Sequence, residues 1–234
     1  MNRNVLKYIA IVAMTLDHIG GHLDFIPPEL YLVFKIIGRI TMPVMCFFIV
    51  EGFKYTKDKR RYALRLFSFA CISQLSWCLL QNNTLLTFNI FSNLNTIFTL
   101  LLGYLLIWLI ESENKLYIKS ICIILITACS FLCDYKLIGL IYIMFFYLFD
   151  KNRFKVMYLP VLYIISIFLA KYIYEYNNGA FIVDALINVG LLLTIPLFYL
   201  YNGKSGSGHK FHKYFFYIYY PVHLFVIFLI NLLV

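Results

Sequence analysis

Charge is scarce in this chain. Asp, Glu, Lys and Arg make up 13% of its 234 residues, about half the roughly 25% of a soluble domain. With 62% hydrophobic residues and a mean hydropathy of +0.82, it does not read as a water-soluble globule. Ten-residue segments of alternating polarity are missing too, which argues against an outer-membrane barrel. No phosphate-binding glycine loop, dinucleotide fingerprint or internal repeat occurs. CxxC pairs are absent: Cys46, Cys71, Cys78, Cys122, Cys129 and Cys133 all fall within apolar segments. They read as small buried hydrophobes, implying neither a disulfide framework nor a metal site. A cleavable leader is not expected, because the first apolar segment contains Asp17 and ends without a small-residue cleavage site.

What the chain does contain is runs of about 20 apolar residues, the length a membrane-spanning helix needs. Nine can be read, at roughly 5–26, 31–53, 62–81, 94–111, 116–133, 136–149, 154–175, 181–200 and 214–233. The expected fold is all-α: a polytopic transmembrane helix bundle forming one integral-membrane domain over 1–234. The net charge of +9 needs no nucleic acid to explain it, because the cations sit in alternate connections. One side collects Arg3, Lys7, Lys54, Lys57, Lys59, Arg60, Arg61, Arg65, Lys115, Lys119, Lys151, Arg153, Lys155, Lys204, Lys210 and Lys213. The other has Lys136 and Lys171, while Lys35 and Arg39 lie within the second segment. The positive-inside rule then sets the N-terminus in the cytoplasm and the C-terminus outside. The stretch 203–208, GKSGSG, reads as a flexible linker before the last span.

Ionisable residues inside a span are costly and mark functional sites by default. The first span carries Asp17 and His18 side by side, with His22 one turn further on. Counting about 1.5 Å per residue puts Asp17 and His18 roughly 12 Å below the outer face. Arg39 and Gln74 fall at a similar depth, His223 slightly deeper, and Asn95 and Thr99 slightly shallower. Consecutive helical residues point about 100° apart, so Asp17 is expected to pair with Arg39, leaving His18 to face elsewhere. Two readings of His18 remain: a neutral core histidine bonded to a neighbouring helix, or a reaction centre. His18 and His22 have a zinc-compatible spacing but no clear third ligand, so no metal is expected. Lys35 is read as snorkelling to the interface. Asn95 and Thr99 are interhelical hydrogen-bond partners or substrate contacts, with Gln74 and His22 beside them as candidates.

Glu51 precedes the cationic cluster and either answers it as an interfacial carboxylate or lies beside a site where Arg60, Arg61 and Arg65 hold a phosphate-rich molecule. Pro43 and Pro221 can interrupt their helices and free backbone groups.

The segments LKYIAIVAMTLDHIG (6–20), FKIIGRITMPVMCFFIVEGFKYTKDKRRYALRLFSFACISQ (34–74), LNTIFTLLLGYLLIWL (94–109) and KYFFYIYYPVHL (213–224) resemble the TraX family, named for a bacterial conjugal pilin N-acetylase. The paired D-H, the G-R-x-x-x-P and the terminal Y-P-x-H-L carry the likeness, which runs through all but Glu113–Leu200. The resemblance implies a multi-pass protein of the bacterial cytoplasmic membrane that moves an acetyl group from acetyl-CoA to an amine or hydroxyl. It is similar in outline to transmembrane acyltransferases that rely on an intramembrane histidine. On the matching positions, it makes His18 the catalytic histidine and Asp17, Arg39 and His223 its supporting shell. Acetyl-CoA would dock at Arg60, Arg61 and Arg65. The acceptor stays open among a peptide N-terminus, a glycan and a lipid-linked sugar. Two rivals use the same residues: a proton-coupled transporter, and a non-catalytic assembly protein whose polar groups only lock helices together.

Overall fold

The structure is a computed structural model that describes residues 1–82, 93–149, 183, 187–204, 206–208 and 210–233. The seventh expected span, 154–175, and the start of the eighth lie outside the described residues. Among the described residues the fold is all-α, without a strand. Helices α1 (Arg3–His22), α2 (Pro28–Gly38), α3 (Thr41–Tyr55), α4 (Lys59–Asn82), α5 (Thr96–Glu111), α6 (Leu116–Ser130) and α7 (Lys136–Leu148) come first. A 3₁₀ turn (Gly190–Leu193) leads into α8 (Thr194–Leu200), and α9 (Lys210–Leu233) follows. The helices sort into two compact units, one of 1–45 with 149–216 and the other of 46–148 with 217–234.

The second expected span does not run as one helix. It divides into α2 and α3 at Arg39–Ile40. Pro43 accounts for the break: it has no N–H to offer the carbonyl four residues back, and its ring clashes there. That carbonyl belongs to Arg39. Pro221, by contrast, sits inside a continuous α9.

Among the described residues, three helical stretches are long and apolar enough to cross a membrane: Pro28–Tyr55, Lys59–Asn82 and Tyr214–Leu233. Thr96–Glu111, Leu116–Ser130, Lys136–Leu148 and Ile187–Leu200 are apolar but shorter. At 1.5 Å per residue, 16 residues rise about 24 Å, less than the roughly 30 Å of hydrocarbon. Polar residues near its C-terminal end dilute the apolar character of α1.

In the first unit, Asn2 caps α1 by accepting from the Val5 N–H at 3.0 Å. Leu6, Ala10, Met14 and His18 then recur every four residues and are all buried, the spacing of one helix face. Helix α1 packs on α2, and Thr41 at the start of α3 donates to the Ala10 carbonyl at 3.2 Å. The chain's first residues are tied to the segment after α8. The Met1 ammonium donates to the Leu200 carbonyl at 2.7 Å, and the Arg3 N–H to Lys204 at 2.8 Å.

In the second unit, α4 to α7 alternate in direction. At one end, the starts of α4 and α6 meet the ends of α5 and α7. Lys59 reaches Glu111 there, Tyr147 donates to Glu111 at 3.0 Å, and Lys119 donates to the Ile110 carbonyl at 2.9 Å. At the other end, the loop before α5 pairs with the turn after α6, through Leu94 N–H to Leu132 at 2.7 Å and Asp134 N–H to Leu94 at 2.9 Å. Phe53, Tyr104, Ile107 and Ile143 are buried in this unit's core.

Candidate functional site

Asp17, His18, His22, Lys35 and Arg39 lie in the first unit, on the last turns of α1 and α2. Three close approaches explain how two helices meet around a carboxylate. A Cβ on Gly38 would overlap the Asp17 side chain, and one on Gly21 would stand 2.7 Å from Lys35 Nζ. A Cβ on Gly20 would meet Phe34 Cβ at 3.1 Å. Glycine at these positions lets α2 lie against the polar end of α1.

The counter-ion of Asp17 is Lys35, not Arg39. Lys35 Nζ is 3.2 Å from Asp17 Oδ1 and donates to the Asp17 main-chain carbonyl, also at 3.2 Å. Lys35 therefore does not snorkel away. Lys35 and Arg39 are one turn apart, and the flexible lysine stem reaches back across Gly21 to the carboxylate. Arg39 sits at the α2–α3 break with its Nε buried and meeting no hydrogen-bond acceptor.

His18 is 8% exposed and ends the buried row of α1. Its ring meets that of His22 edge-on at 5.9 Å, and its carbonyl lies 3.1 Å from His22 Nδ1. The two imidazoles share a face, as i, i+4 spacing requires.

In the second unit, Gln74 and Asn95 spend their capacity on each other and on backbone. Gln74 Oε1 accepts from both the Asn95 N–H (2.9 Å) and Asn95 Nδ2 (2.8 Å). Asn95 Nδ2 also donates to the Ala70 carbonyl at 2.8 Å, while Asn95 Oδ1 caps α5 at Ile97 N–H, 3.0 Å away. Gln74 Nε2 donates to the Asn93 carbonyl at 3.0 Å and to Cys78 Sγ at 3.4 Å. Both donor hydrogens of each amide are thus taken. Gln74 and Asn95 form a knot tying α4 to α5. Thr99 is fully buried on α5. His223 is buried on α9, its ring stacked on Tyr219 at 5.1 Å and its Nδ1 2.9 Å from the Tyr219 carbonyl.

The cationic cluster opens α4. Asp58 accepts from the Arg61 N–H at 2.9 Å and pairs with its Nε at 3.0 Å. Arg65 donates through Nε to the Tyr217 hydroxyl at 2.9 Å, its guanidinium 5.0 Å from the Tyr62 ring centre. Arg60 is exposed. Glu51 is buried near the C-terminal end of α3, 7% exposed. Glu111 is a further acidic contact of the cluster, 2.8 Å from Lys59 Nζ, which also lies 3.8 Å over the Phe53 ring. Exposed Arg60 and Arg61 keep donors that fit phosphate oxygens, whereas Arg65 is already engaged.

Sequence reasoning missed Lys35, Glu111, Tyr147 and Tyr217 as partners. The Gly20–Gly21 pair and Gly38 were the available signals for a close crossing at Asp17.

Comparison with known proteins supplies the identity. A "Probable fimbrial assembly protein FimC, serogroup H1" of Dichelobacter nodosus is 29% identical over 222 residues, covering 88% of this chain and 89% of its own. An uncharacterized protein of Rickettsia prowazekii (strain Madrid E) is 51% identical over 59 residues, 25% of this chain and 22% of its own. No solved structure matches. The family model described as TraX protein matches residues 2–231, and the chain belongs to the TraX family.

Proposed function

We propose that this protein is a multi-pass acetyltransferase of the bacterial cytoplasmic membrane, with His18 as general base. The observation that carries the reading is a buried imidazole in a helix face otherwise apolar, beside a carboxylate already neutralised by Lys35. An imidazole can accept a proton at one ring nitrogen and give it back, which suits a general base. His18 takes the proton from an acceptor N–H or O–H as that atom attacks the thioester carbonyl of acetyl-CoA. The carbon–sulfur bond breaks, and the departing thiolate takes up the proton from the imidazolium. Arg60 and Arg61 hold the donor's phosphates. The end of the second unit where α4 and α6 begin carries the densest cations, so it is assigned to the cytoplasm. Nine spans, with the N-terminus inside and the C-terminus outside, complete this topology.

The relative from Dichelobacter nodosus is named for fimbrial assembly, which makes a pilin-type peptide the first acceptor to try. The same name favours a second reading, an assembly protein without catalysis. Purified full-length protein in nanodiscs, given radiolabelled acetyl-CoA and pilin from the same bacterium, separates the two. Transfer that disappears in His18→Gln, with unchanged thermal stability, is the expected result. Full transfer by that variant would remove His18 from the chemistry. Absence of transfer by the unaltered protein, with pili still dependent on it, would favour the assembly role.

A further inference from the structure

The exposed side of α4 carries cations and apolar groups in one line. Arg60, Leu64, Phe67, Cys71 and Leu75 recur every three or four residues and are all exposed, so they share a face. Arg61, Ser68 and Ile72, also exposed, form the neighbouring row. Beyond the arginines this face suits hydrocarbon. Leu64, Phe67, Ile72 and Leu75 are between 50% and 63% exposed, and the Ser68 hydroxyl spends its hydrogen on the Leu64 carbonyl at 2.9 Å. Phe67 is held edge-on against Phe98 of α5, ring centres 6.3 Å apart. From Leu64 to Leu75 the face runs about 16 Å, close to the roughly 15 Å depth of one hydrocarbon leaflet.

The cations at the head of this face are unevenly used. Lys59 reaches Glu111, Arg61 reaches Asp58, and Arg65 donates to the Tyr217 hydroxyl. Lys57 and Arg60 are exposed and make no ion pair or hydrogen bond among the described residues. The rest of this unit, 83–92 and Val234, holds no Asp or Glu. We infer that this face of α4 binds an anionic phospholipid of the cytoplasmic leaflet, its phosphate on Arg60 with Lys57 and Arg61 beside it, and an acyl chain along Leu64–Leu75. A guanidinium fork fits two phosphate oxygens, and the net negative charge of the lipid answers the unpaired cations. A zwitterionic lipid brings a cation of its own, and a soluble phosphate compound leaves the apolar face unused. The site rests on the membrane topology proposed above, not on acetyl transfer. Since Arg60 and Arg61 are also assigned to the donor's phosphates, lipid and acetyl-CoA compete there.

The test places full-length protein in phosphatidylcholine nanodiscs with a trace of phosphatidylglycerol or phosphatidylcholine bearing a photoreactive acyl chain. Cross-links are mapped by mass spectrometry. Residues 64–75 should be labelled about fivefold more by phosphatidylglycerol, the effect of one cation near an anionic headgroup. Arg60→Gln should lose that preference at unchanged melting temperature. Excess glycerophosphate at fixed ionic strength, a headgroup without chains, should leave the labelling intact. Equal labelling by the two lipids, a preference that survives Arg60→Gln, or displacement by glycerophosphate would overturn the inference. Labelling of 64–75 by neither lipid would overturn the topology with it. Phosphatidylglycerol labelling that persists in saturating acetyl-CoA, with transfer proceeding, would keep the lipid site and move the donor elsewhere.

Discussion

Lys35 grips Asp17 twice, at 3.2 Å from its carboxylate and 3.2 Å from its main-chain carbonyl. The second contact matters for His18 and His22, because it fixes the backbone of the turn that carries both. Lys35→Met should leave a partly buried carboxylate unpaired. The two side chains keep 19% and 22% exposure, so the loss is expected at about 1–3 kcal/mol, below the 3–5 of a fully buried pair. Adding Asp17→Asn should recover much of it, and a double-mutant cycle by thermal unfolding reads the coupling. Independent, additive losses would deny the pair any energetic role.

Gly38→Ala tests the crossing itself. The added methyl would overlap the Asp17 side chain, which cannot swing away while Lys35 holds it. Overpacking of this kind costs about 1–3 kcal/mol, and the strain should be relieved by Asp17→Gly in the same chain. Stability unaffected by Gly38→Ala would mean α1 and α2 stand further apart than described.

The knot of Gln74 and Asn95 makes a different kind of prediction. Asn95→Leu takes the Nδ2 donor from Gln74 Oε1 and the Ala70 carbonyl and uncaps the Ile97 N–H, leaving Gln74 Oε1 only the main-chain N–H of residue 95. Buried groups left without partners should cost about 2–4 kcal/mol in total, seen as a lower melting temperature. If acetyl transfer is measurable, the folded fraction of the variant should retain its KM for acetyl-CoA. A raised KM with unchanged stability would return Asn95 to the substrate site.

Helices were legible in the sequence because burial in hydrocarbon or in a core demands long apolar runs and intra-segment hydrogen bonds. Pro43 marked the break between α2 and α3. Pairing was less legible. Lys35 and Arg39 lie on one face about 6 Å apart, and a depth count cannot choose between them when one stem is flexible. Likewise, Gln74 and Asn95 were placed in a common layer. That they saturate each other depends on the Asn93 carbonyl and the cap at Ile97, which only the folded loop before α5 brings together.

The ion pair of Lys59 with Glu111 should behave unlike that of Lys35 with Asp17, although its 2.8 Å separation is shorter. Its side chains are 33% and 41% exposed, so water and salt screen it. Lys59→Met is therefore expected to cost under about 1 kcal/mol, with lost attraction to the Phe53 face adding a similar amount at most. High salt should erase most of the difference between variant and unaltered protein, because exposed charges are screened within about 10 Å at moderate ionic strength. The Lys35→Met defect should persist under the same conditions, being shielded from solvent. Melting curves at low and high potassium chloride distinguish the two pairs, and equal salt sensitivity would contradict their different burial.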